Sequence, residues 1–407
     1  MHILLIHQAF ASLKEGGGTR HIELSQFLVQ RGHRVSIITS PVSYLTGKSN
    51  LKKPRWIEKE EFMPGIEIIR AYTYPALHRS FFHRLINFFS FMVSSFIAGI
   101  QVKHVDLVWG TTPPIFQSVT AWLLARLKGK PFLLEIRDLW PKFAVDLGVI
   151  KNPLIIKASL WLEKFLYRRA DQVIVNSPGY VDHVKERGAK KVSLIPNGVD
   201  PTMFDPQENG QEFRLEYGLN DDFIVLYAGA HGLANNLDIV LEAAQILKNE
   251  KHIRFVMLGD GKEKARLINR ADEMDLSNIL FLPTMPKEKM SAMLGAADAC
   301  LASLQPIESF KTTYPNKVFD YLAAGRPVIL AIDGVIREVV DQAQAGIFVP
   351  PGDAQQLAQA VIYLRQNPEK AVQMGHSGRN FVENQFNRAI LADKLAHLLE
   401  KMREENE

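Results

Sequence analysis

The sequence predicts an α/β fold with two doubly wound parallel-sheet domains. Apolar strand-like runs alternate with helical stretches, a segment rich in proline, glycine and asparagine interrupts them near residues 196–210, and the alternation then restarts. A chain of 407 residues is long enough for two domains. We place them at residues 1–198 and 199–385. A closing amphipathic helix, 386–407, has no sheet of its own and is expected to cross back to the first domain.

Buried apolar runs and turn residues define the elements of the first domain. Thr19 is expected to cap the first helix, which runs to Arg31 and ends at Gly32. The other predicted helices cover 81–102, Ser118–Leu127 and Ser159–Arg169. The predicted strands are His2–His7, Arg34–Thr39, Ile66–Ala71, Val105–Trp109, Pro131–Ile136, Gln172–Asn176 and Lys191–Ile195.

The second domain repeats this pattern. Its helices include Leu237–Lys248 and a short helix, Lys317–Ala324, with Asn316 as its cap and Gly325 as its stop signal. The closing helix is predicted over Arg388–Met402. The predicted strands are Phe223–Tyr227, Arg254–Leu258, Ile279–Leu282, Ala299–Leu304, Val328–Ala331 and Ile347–Val349.

Composition excludes several classes of protein. Hydrophobic residues make up 47% and charged residues 23% of the chain, which is ordinary for a globular protein and excludes disorder, collagen and coiled coil. A net charge of +4 is far below the basic footprint of a nucleic-acid binder, so we expect no nucleic-acid partner. Cys300 is the only cysteine, which excludes an internal disulfide and predicts a cytoplasmic protein.

One apolar segment bears on membrane association. Residues Leu85–Val102 carry no charge and lie between Arg84 and Lys103. The segment only just reaches the length of a spanning helix. Three interpretations stay open: a helix buried in the domain, a helix in the membrane interface with its basic flanks at the lipid headgroups, or a span.

Two glycine-rich loops follow strands, where open α/β sheets bind ligands. They are Gly16-Gly17-Gly18 and Gly229-Ala230-His231-Gly232, and either is a plain flexible turn or exposes backbone N–H groups to a phosphate. The glycine spacing and the lack of an acid after the second strand argue against a nicotinamide cofactor. His231 is the only titratable group in its loop, and a solvated loop histidine is the simpler interpretation.

Arg137 and Asp138 follow another buried strand. Opposite charges there either pair with each other or face a ligand, because burying them alone is costly. As catalytic candidates, Asp138 would accept a proton from an attacking hydroxyl or orient it, and Arg137 would hold an anion. The alternative is that Asp138 caps the next turn.

Lys317 and Asp320 lie three residues apart at the start of a short helix. A cation there opposes the helix dipole unless an anion is bound, so we expect Lys317 and the first N–H groups to grip a phosphate. Asp320 would then accept hydrogen bonds from two ribose hydroxyls. The alternative is a surface ion pair of little energetic weight. The chain has no DxD, metal-spaced His/Cys, Walker or GxSxG motif, which predicts a metal-independent reaction without a cofactor.

In this order, the motifs resemble those of the retaining GT-B glycosyltransferases of family GT4, in the bacterial branch that builds surface polysaccharides such as O-antigen or capsule. The resemblance covers nearly the whole chain. The matching stretches are Gly16–Gly18, RDLWP at 137–141, IPNGVD at 195–200, LGDG at 258–261 and PNKVFDYLAAGRPV at 315–328.

This resemblance implies two Rossmann-like domains facing a central cleft, the first holding the acceptor and the second the nucleotide-sugar. Gly17 and Gly18 would face the donor diphosphate, and Asp320 would replace the glutamate that binds the ribose. The resemblance also implies that the leaving phosphate helps to deprotonate the acceptor, so no strong protein base is needed.

The chain departs from the family pattern at several positions. The first glutamate of the EX7E motif falls near Thr312, and Arg137 replaces a histidine. The usual Arg/Lys pair of the loop 230–236 is missing, so Lys317 and Lys262 would supply that charge. The predicted donor-binding residues are Gly17, Gly18, His231, Gly232, Lys262, Thr312, Asn316, Lys317 and Asp320.

The expected function is sugar transfer from a UDP- or GDP-type donor to a hydroxyl of a lipid-linked glycan at the inner face of the cytoplasmic membrane. Two alternatives stay open. One is a nucleotide-sugar epimerase of the same fold, and the other is a non-catalytic protein that binds a sugar nucleotide.

Overall fold

The structure, a computed structural model, describes residues 1–15, 17–43, 47, 49, 55–75 and 81–406; Gly16 of the first glycine loop lies outside them. The chain divides into two compact units. The first comprises Met1–Ala11, Gly18–Pro196 and Ala389–Glu407, and the second comprises Ser12–Gly17 and Asn197–Arg388. The closing helix thus groups with the first unit, and the residues just before Gly18 group with the second.

An eight-stranded sheet forms the centre of the first unit, within the described residues. Its order is β3-β4-β2-β1-β5-β6-β7-β8, and all neighbours are parallel except β3 and β4. The strands are β1 (His2–Ile6), β2 (Arg34–Thr39), β3 (Ile57–Met63), β4 (Ile66–Ala71), β5 (Leu107–Thr112), β6 (Phe132–Ile136), β7 (Gln172–Val175) and β8 (Val192–Leu194). The central strands are fully buried, as expected for a parallel sheet covered by helices.

The antiparallel edge strand β3 was not predicted. Its sequence, IEKEEFM, contains four charged residues and no apolar run, because an edge strand needs little burial and charge there opposes edge-to-edge association. The prediction for β5 began and ended too early, since the strand continues through the buried residues Gly110, Thr111 and Thr112.

Helices cover this sheet. They are α1 (Arg20–Gln30), α2 (Phe81–Gln101), α3 (Ile115–Lys128), α4 (Lys142–Asp146), α5 (Pro153–Arg169) and α6 (Val181–Glu186). The expected cap at Thr19 is wrong: its side chain accepts no hydrogen bond from the start of α1, and its hydroxyl donates to Glu23 instead.

Helix α2 has one buried and one exposed face. By length and composition alone it could cross a membrane, and one third of its apolar 18-residue stretch is buried. On the buried face, Asn87 accepts a hydrogen bond from Gln8 at 2.8 Å and Ser94 donates to the Tyr72 carbonyl at 2.6 Å. The exposed apolar side chains recur every three or four residues: Phe82, Ile86, Phe89, Val93, Ile97 and Ile100. The helix therefore packs within the first unit while a full apolar stripe remains uncovered there.

The second unit has a six-stranded, wholly parallel sheet with the order β11-β10-β9-β12-β13-β14 in its described residues. The strands are β9 (Phe223–Ala228), β10 (Ile253–Leu258), β11 (Ile279–Leu282), β12 (Ala299–Ser303), β13 (Val328–Ala331) and β14 (Gly346–Phe348). This order is that of a Rossmann fold, with its switch point between β9 and β12. The two sheets confirm the predicted fold class.

Apolar clusters cover both faces of the second sheet. Its helices are α7 (Gln211–Glu216), α8 (Asp238–Ile246), α9 (Lys264–Glu273), α10 (Met290–Gly295), α11 (Asn316–Ala323), α12 (Val335–Gln342), α13 (Ala354–Gln366) and α14 (Pro368–Gln385). Asn316 is the first residue of α11 and not its cap, and no side chain caps this helix. Gly325 ends it with φ +67°, which favours glycine.

The last helix, α15 (Arg388–Glu404), packs in the first unit from Ala389 onward. Its apolar side chains Leu391, Leu395 and Leu399 are buried. Arg31 donates to Asp393 at its start, and Lys191 pairs with Glu405 just beyond its end at 2.5 Å.

Candidate functional site

Two glycine turns meet at the carboxyl ends of β9 and β10, in the second unit. A Cβ on Gly259 would lie 1.9 Å from the Gly229 carbonyl oxygen, and one on Gly261 would lie 2.4 Å from that of His231. Backbone hydrogen bonds fix this contact, since His231 N donates to the Asp260 carbonyl at 2.8 Å. Only glycine permits the two backbones to approach so closely. The turns thus form a bare peptide surface beside the switch point.

Lys317, in the first turn of α11, reaches the same turns. Its Nζ donates to the Tyr227 hydroxyl at 2.7 Å and to Asn235 Oδ1 at 3.2 Å, and it lies 4.0 Å from the centre of the Tyr227 ring. A Cβ on Gly229 would be 3.0 Å from this ammonium group. No carboxylate of the described second unit pairs with it. Burial lowers the pKa of Lys317 to about 7.

A cation held by neutral partners can bind an anion. Tyr227 cannot balance the charge, because its hydroxyl donates to the Ala230 carbonyl and burial raises its pKa far above the ordinary value. Neither Tyr227 nor Asn235 was predicted. In the sequence, Tyr227 is the last residue of a predicted apolar strand and has the pattern of a core residue. Asn235 is one of two successive asparagines in a turn.

His231 contradicts the expectation of a solvated loop residue. Its side chain is fully buried, with its ring centre 5.9 Å from that of Tyr227 and 6.1 Å from that of Phe281. Neither ring nitrogen has a hydrogen-bond partner among the described residues. Burial, with Lys264 and Lys317 nearby, lowers the pKa of His231 to about 4, so the ring is neutral at physiological pH.

Asp320 and Lys317 do not pair with each other. Asp320 Oδ2 forms a buried ion pair with Lys287 Nζ at 2.6 Å, and Lys287 also lies 5.0 Å from the ring centre of Phe204. The alternative of a surface Lys–Asp pair within α11 is therefore wrong. The predicted contact between Asp320 and a ribose stays a prediction.

The remaining donor-site candidates differ in their surroundings. Lys262 is exposed, whereas Lys264 donates to the Gly259 and Leu282 carbonyls at 2.8 Å each. Thr312 ends a 3-10 turn and donates to the Ser309 carbonyl at 2.6 Å.

The other four candidates, all small or polar residues, lie in loops or at a helix start. The Asn316 side chain accepts a long hydrogen bond, 3.5 Å, from the buried Arg388. Gly232 precedes a 3-10 turn. In the first glycine loop, Gly17 has φ +143°, and a Cβ on Gly18 would meet open space.

In the first unit, Arg137 and Asp138 follow β6. Arg137 donates to His7 Nε2 at 2.8 Å and to the Thr112 carbonyl at 3.4 Å. Asp138 does not cap α4, which begins after Pro141 without a side-chain cap. Burial raises the pKa of Asp138 to about 6, against the opposing charge of Arg137.

A buried polar cluster supports this loop. Glu135, in β6, accepts hydrogen bonds from Arg20 Nε at 2.8 Å and His21 Nε2 at 2.6 Å. Burial alone would raise the pKa of Glu135, but His21 and Arg20 hold it well below its usual range. His7 is fully buried, and burial with Arg137 nearby holds its pKa well below the ordinary value, so its neutral ring accepts from Arg137. The sequence signal for this cluster was the glutamate inside the otherwise apolar run FLLEI, because a charged residue is rarely buried unless it is paired.

Two protein families match successive parts of the chain. Residues 15–203 match the family described as Glycosyltransferase Family 4, and residues 210–381 match the family described as Glycosyl transferases group 1. The chain belongs to the GT-B glycosyltransferases of family GT4. This confirms the resemblance noted in the sequence.

A relative agrees with this assignment, and solved structures share the fold. The chain is 27% identical to the putative colanic acid biosynthesis glycosyl transferase WcaI of Escherichia coli, covering 82% of this chain and 84% of WcaI. Sucrose-phosphate synthase from Thermosynechococcus elongatus has a TM-score of 0.79 at 20% identity, covering 98% of both chains. HepE from Anabaena, solved with UDP-glucose, has a TM-score of 0.73 at 15% identity, covering 98% of this chain and 100% of HepE.

The close contact between the two glycine turns predicts that adding one methyl group at this contact strongly destabilises the protein. Gly259→Ala would drive a Cβ into the Gly229 carbonyl, so we expect a loss of about 2–4 kcal/mol in the free energy of unfolding. Gly218→Ala is the control, because Gly218 also has positive φ, +64°, but open space around it, and should lose about 1 kcal/mol. Urea unfolding followed by circular dichroism measures both. Equal losses would contradict the close contact.

Proposed function

We propose that the protein transfers a sugar from a UDP- or GDP-type nucleotide donor to a hydroxyl group, with retention and without a metal ion. The observation that carries this proposal is Lys317, a cation that neutral partners hold beside bare glycine turns at a Rossmann switch point. A diphosphate supplies the charge that this site lacks, and backbone N–H groups and a lysine are its ordinary ligands. HepE, which binds UDP-glucose, supports the choice of donor class.

In the proposed reaction, the bond between the anomeric carbon and the donor phosphate oxygen breaks, and a bond from that carbon to the acceptor oxygen forms on the same face of the sugar. The acceptor proton passes to the leaving phosphate. The role of Lys317 is to stabilise the negative charge that develops on the diphosphate, because a fixed cation acts most strongly on charge that grows in the transition state. Asp138 orients the acceptor hydroxyl, and Arg137, held by His7, provides positive charge beside it.

We propose a lipid-linked glycan acceptor in surface-polysaccharide biosynthesis, at the cytoplasmic face of the membrane. WcaI, named for colanic acid biosynthesis, supports the pathway class. The exposed apolar stripe of α2 supports the lipid-linked acceptor, because so many large apolar side chains on one helix face are typical of interfacial helices. The other face of α2 packs on its own unit, which favours a helix lying in the interface over a span.

The stripe predicts membrane binding that depends on apolar contact. Phe89 and Val93 are 51% and 56% exposed, so Phe89→Ser with Val93→Ser should leave the fold intact and reduce binding to neutral vesicles at least about tenfold. Leu215→Ser with Val372→Ser is the control, since these two exposed apolar residues lie in the second unit. Flotation with phosphatidylcholine vesicles measures the effect. Unchanged flotation of the α2 variant would refute the interfacial interpretation.

A thermal-shift screen tests the donor proposal. A ligand that binds only the native state at about 100 times its Kd adds about 2.7 kcal/mol of stability. We expect UDP, GDP and their sugars to raise the Tm, and adenine nucleotides serve as the comparison. The stabilising donor, incubated with lipid-linked acceptors, should give a product whose anomeric configuration by NMR is that of the donor. The proposal fails if no uridine or guanosine nucleotide stabilises the protein.

A further inference from the structure

A basic cavity lies at the amino ends of β6, β7 and β8, the edge of the first sheet opposite to Arg137 and Asp138. Its volume is about 460 Å³. The ends of α3 and α5 and the turn before β8 contribute its five cations, which are Arg126, Arg168, Arg169, Lys190 and Lys191. The cavity thus belongs to neither of the candidate sites described above.

The acidic residues of the cavity are already engaged. Asp171 accepts a hydrogen bond from the Phe132 amide at 2.8 Å, and Glu405 pairs with Lys191 at 2.5 Å. The other four cations have no carboxylate partner within the described first unit. Helix dipoles explain why cations end α3 and α5, but not why Lys190 and Lys191, in the turn before β8, line the same cavity.

Aromatic and aliphatic side chains with exposed surface also lie on α3 and α5, the two helices whose ends line the cavity. On α5, Trp161, Phe165 and Arg169 recur every four residues; the two rings stack at 5.5 Å, and the Arg169 guanidinium lies 5.5 Å from the Phe165 ring centre. Trp161 is 65% exposed. On α3, Leu127 is 62% exposed and directly follows Arg126. A helix face that carries an exposed tryptophan at one end and an arginine at the other is typical of protein surfaces at the lipid headgroup level.

We propose that this cavity, with the flanking faces of α3 and α5, binds the anionic headgroups of membrane phospholipids. Several unpaired cations match a layer of phosphate groups, and the neighbouring apolar side chains match the boundary with the acyl chains. A nucleic acid would use the cations but leave the exposed leucine uncovered, and a net charge of +4 argues against a nucleic-acid partner. The inference rests on the proposed membrane location of the transferase, and it adds selectivity for lipid charge at a surface separate from the α2 stripe.

Vesicle flotation of the full-length protein tests this proposal. Each cation near an anionic bilayer contributes about 1 kcal/mol, a factor of about five in partitioning. Arg126→Glu with Lys190→Glu should therefore lower binding to vesicles containing phosphatidylglycerol at least about twenty-fold and leave binding to pure phosphatidylcholine unchanged. Both side chains are exposed, so circular dichroism should show an intact fold.

A matched control separates this site from net charge. Lys251→Glu with Lys289→Glu makes the same charge change on exposed lysines of the second unit and should retain binding. Raising salt from about 0.1 M to about 1 M shortens the Debye length from about 10 Å to about 3 Å and should abolish the preference for anionic vesicles. Equal losses in both double variants, or equal binding of wild type to both vesicle types, would overturn the proposal.

The test also distinguishes this inference from the proposed function. Donor binding, measured by thermal shift without vesicles, should be the same in wild type and in Arg126→Glu with Lys190→Glu. A protein that binds a nucleotide-sugar but ignores lipid charge would refute only the headgroup site. One that selects anionic vesicles but binds no nucleotide-sugar would refute only the transferase proposal.

Discussion

Lys317→Met should weaken nucleotide-sugar binding about 10- to 100-fold while making the ligand-free protein more stable. The first effect follows because a hydrogen bond from a charged donor contributes about 1.5–3 kcal/mol, and here it would go to a diphosphate. The second follows because burial already lowers the pKa of Lys317 to about 7, so the empty site disfavours the charge that methionine removes. Isothermal titration calorimetry and urea unfolding measure the two effects.

Lys251→Met is the matched control, because Lys251 is an exposed lysine just before β10, at the end of that strand opposite to the glycine turns, and should alter binding by less than about fivefold. Opposite changes in affinity and stability are the signature of a lysine placed for a ligand. A Lys317 variant that binds donor normally, or that loses stability, would show that the lysine serves the fold.

The same lysine predicts how stability and binding depend on pH. Its folded pKa lies below the unfolded value, so between pH of about 7 and 10.5 the unfolded chain binds more protons and the stability of the empty protein rises with pH. Donor binding should restore the proton, so affinity should fall as the pH rises above about 7. Calorimetry near pH 8 in buffers of different ionisation enthalpy should detect proton uptake in wild type and none in Lys317→Met.

Local patterns were sufficient to predict much of the fold. Buried parallel strands read as short apolar runs bounded by turn residues, and β2, β4, β11 and β13 were predicted with their observed ends. The edge strand β3 was not predicted, because its charged sequence has no short apolar run. The ends of a strand such as β5 depend on sheet neighbours, which a single sequence does not reveal.

Residues of the site were predictable where the local sequence alone indicates their chemistry. Lys317 stood out because a cation opposes the dipole at a helix start. Its partner Tyr227 lies 90 residues away in sequence, and Lys287 lies 33 residues before its partner Asp320, so only the tertiary fold brings these pairs together. The burial of His231 likewise depends on Phe281 in β11, which is two strands away from β9 in the sheet.

Asp138→Asn should lower kcat about 100- to 1,000-fold and leave donor affinity unchanged, because an amide can fill the space but cannot accept or orient a proton as a carboxylate does. Steady-state kinetics with a lipid-linked acceptor measures the loss. Asp146→Asn is the control, since this carboxylate lies eight residues further on, pairs only with Lys142 at 3.3 Å in the described chain, and should keep most of the activity.

The pH dependence makes this prediction specific to the carboxylate. Burial raises the pKa of Asp138 to about 6, so the ionised form is lost as the pH falls through that value, and kcat should decline below about pH 6. In Asp138→Asn the residual rate should not show this acid limb. If the variant kept more than half of the wild-type kcat, or kept the acid limb, another group would be acting on the acceptor hydroxyl. The partly buried Arg137–His7 contact would then be the next to vary.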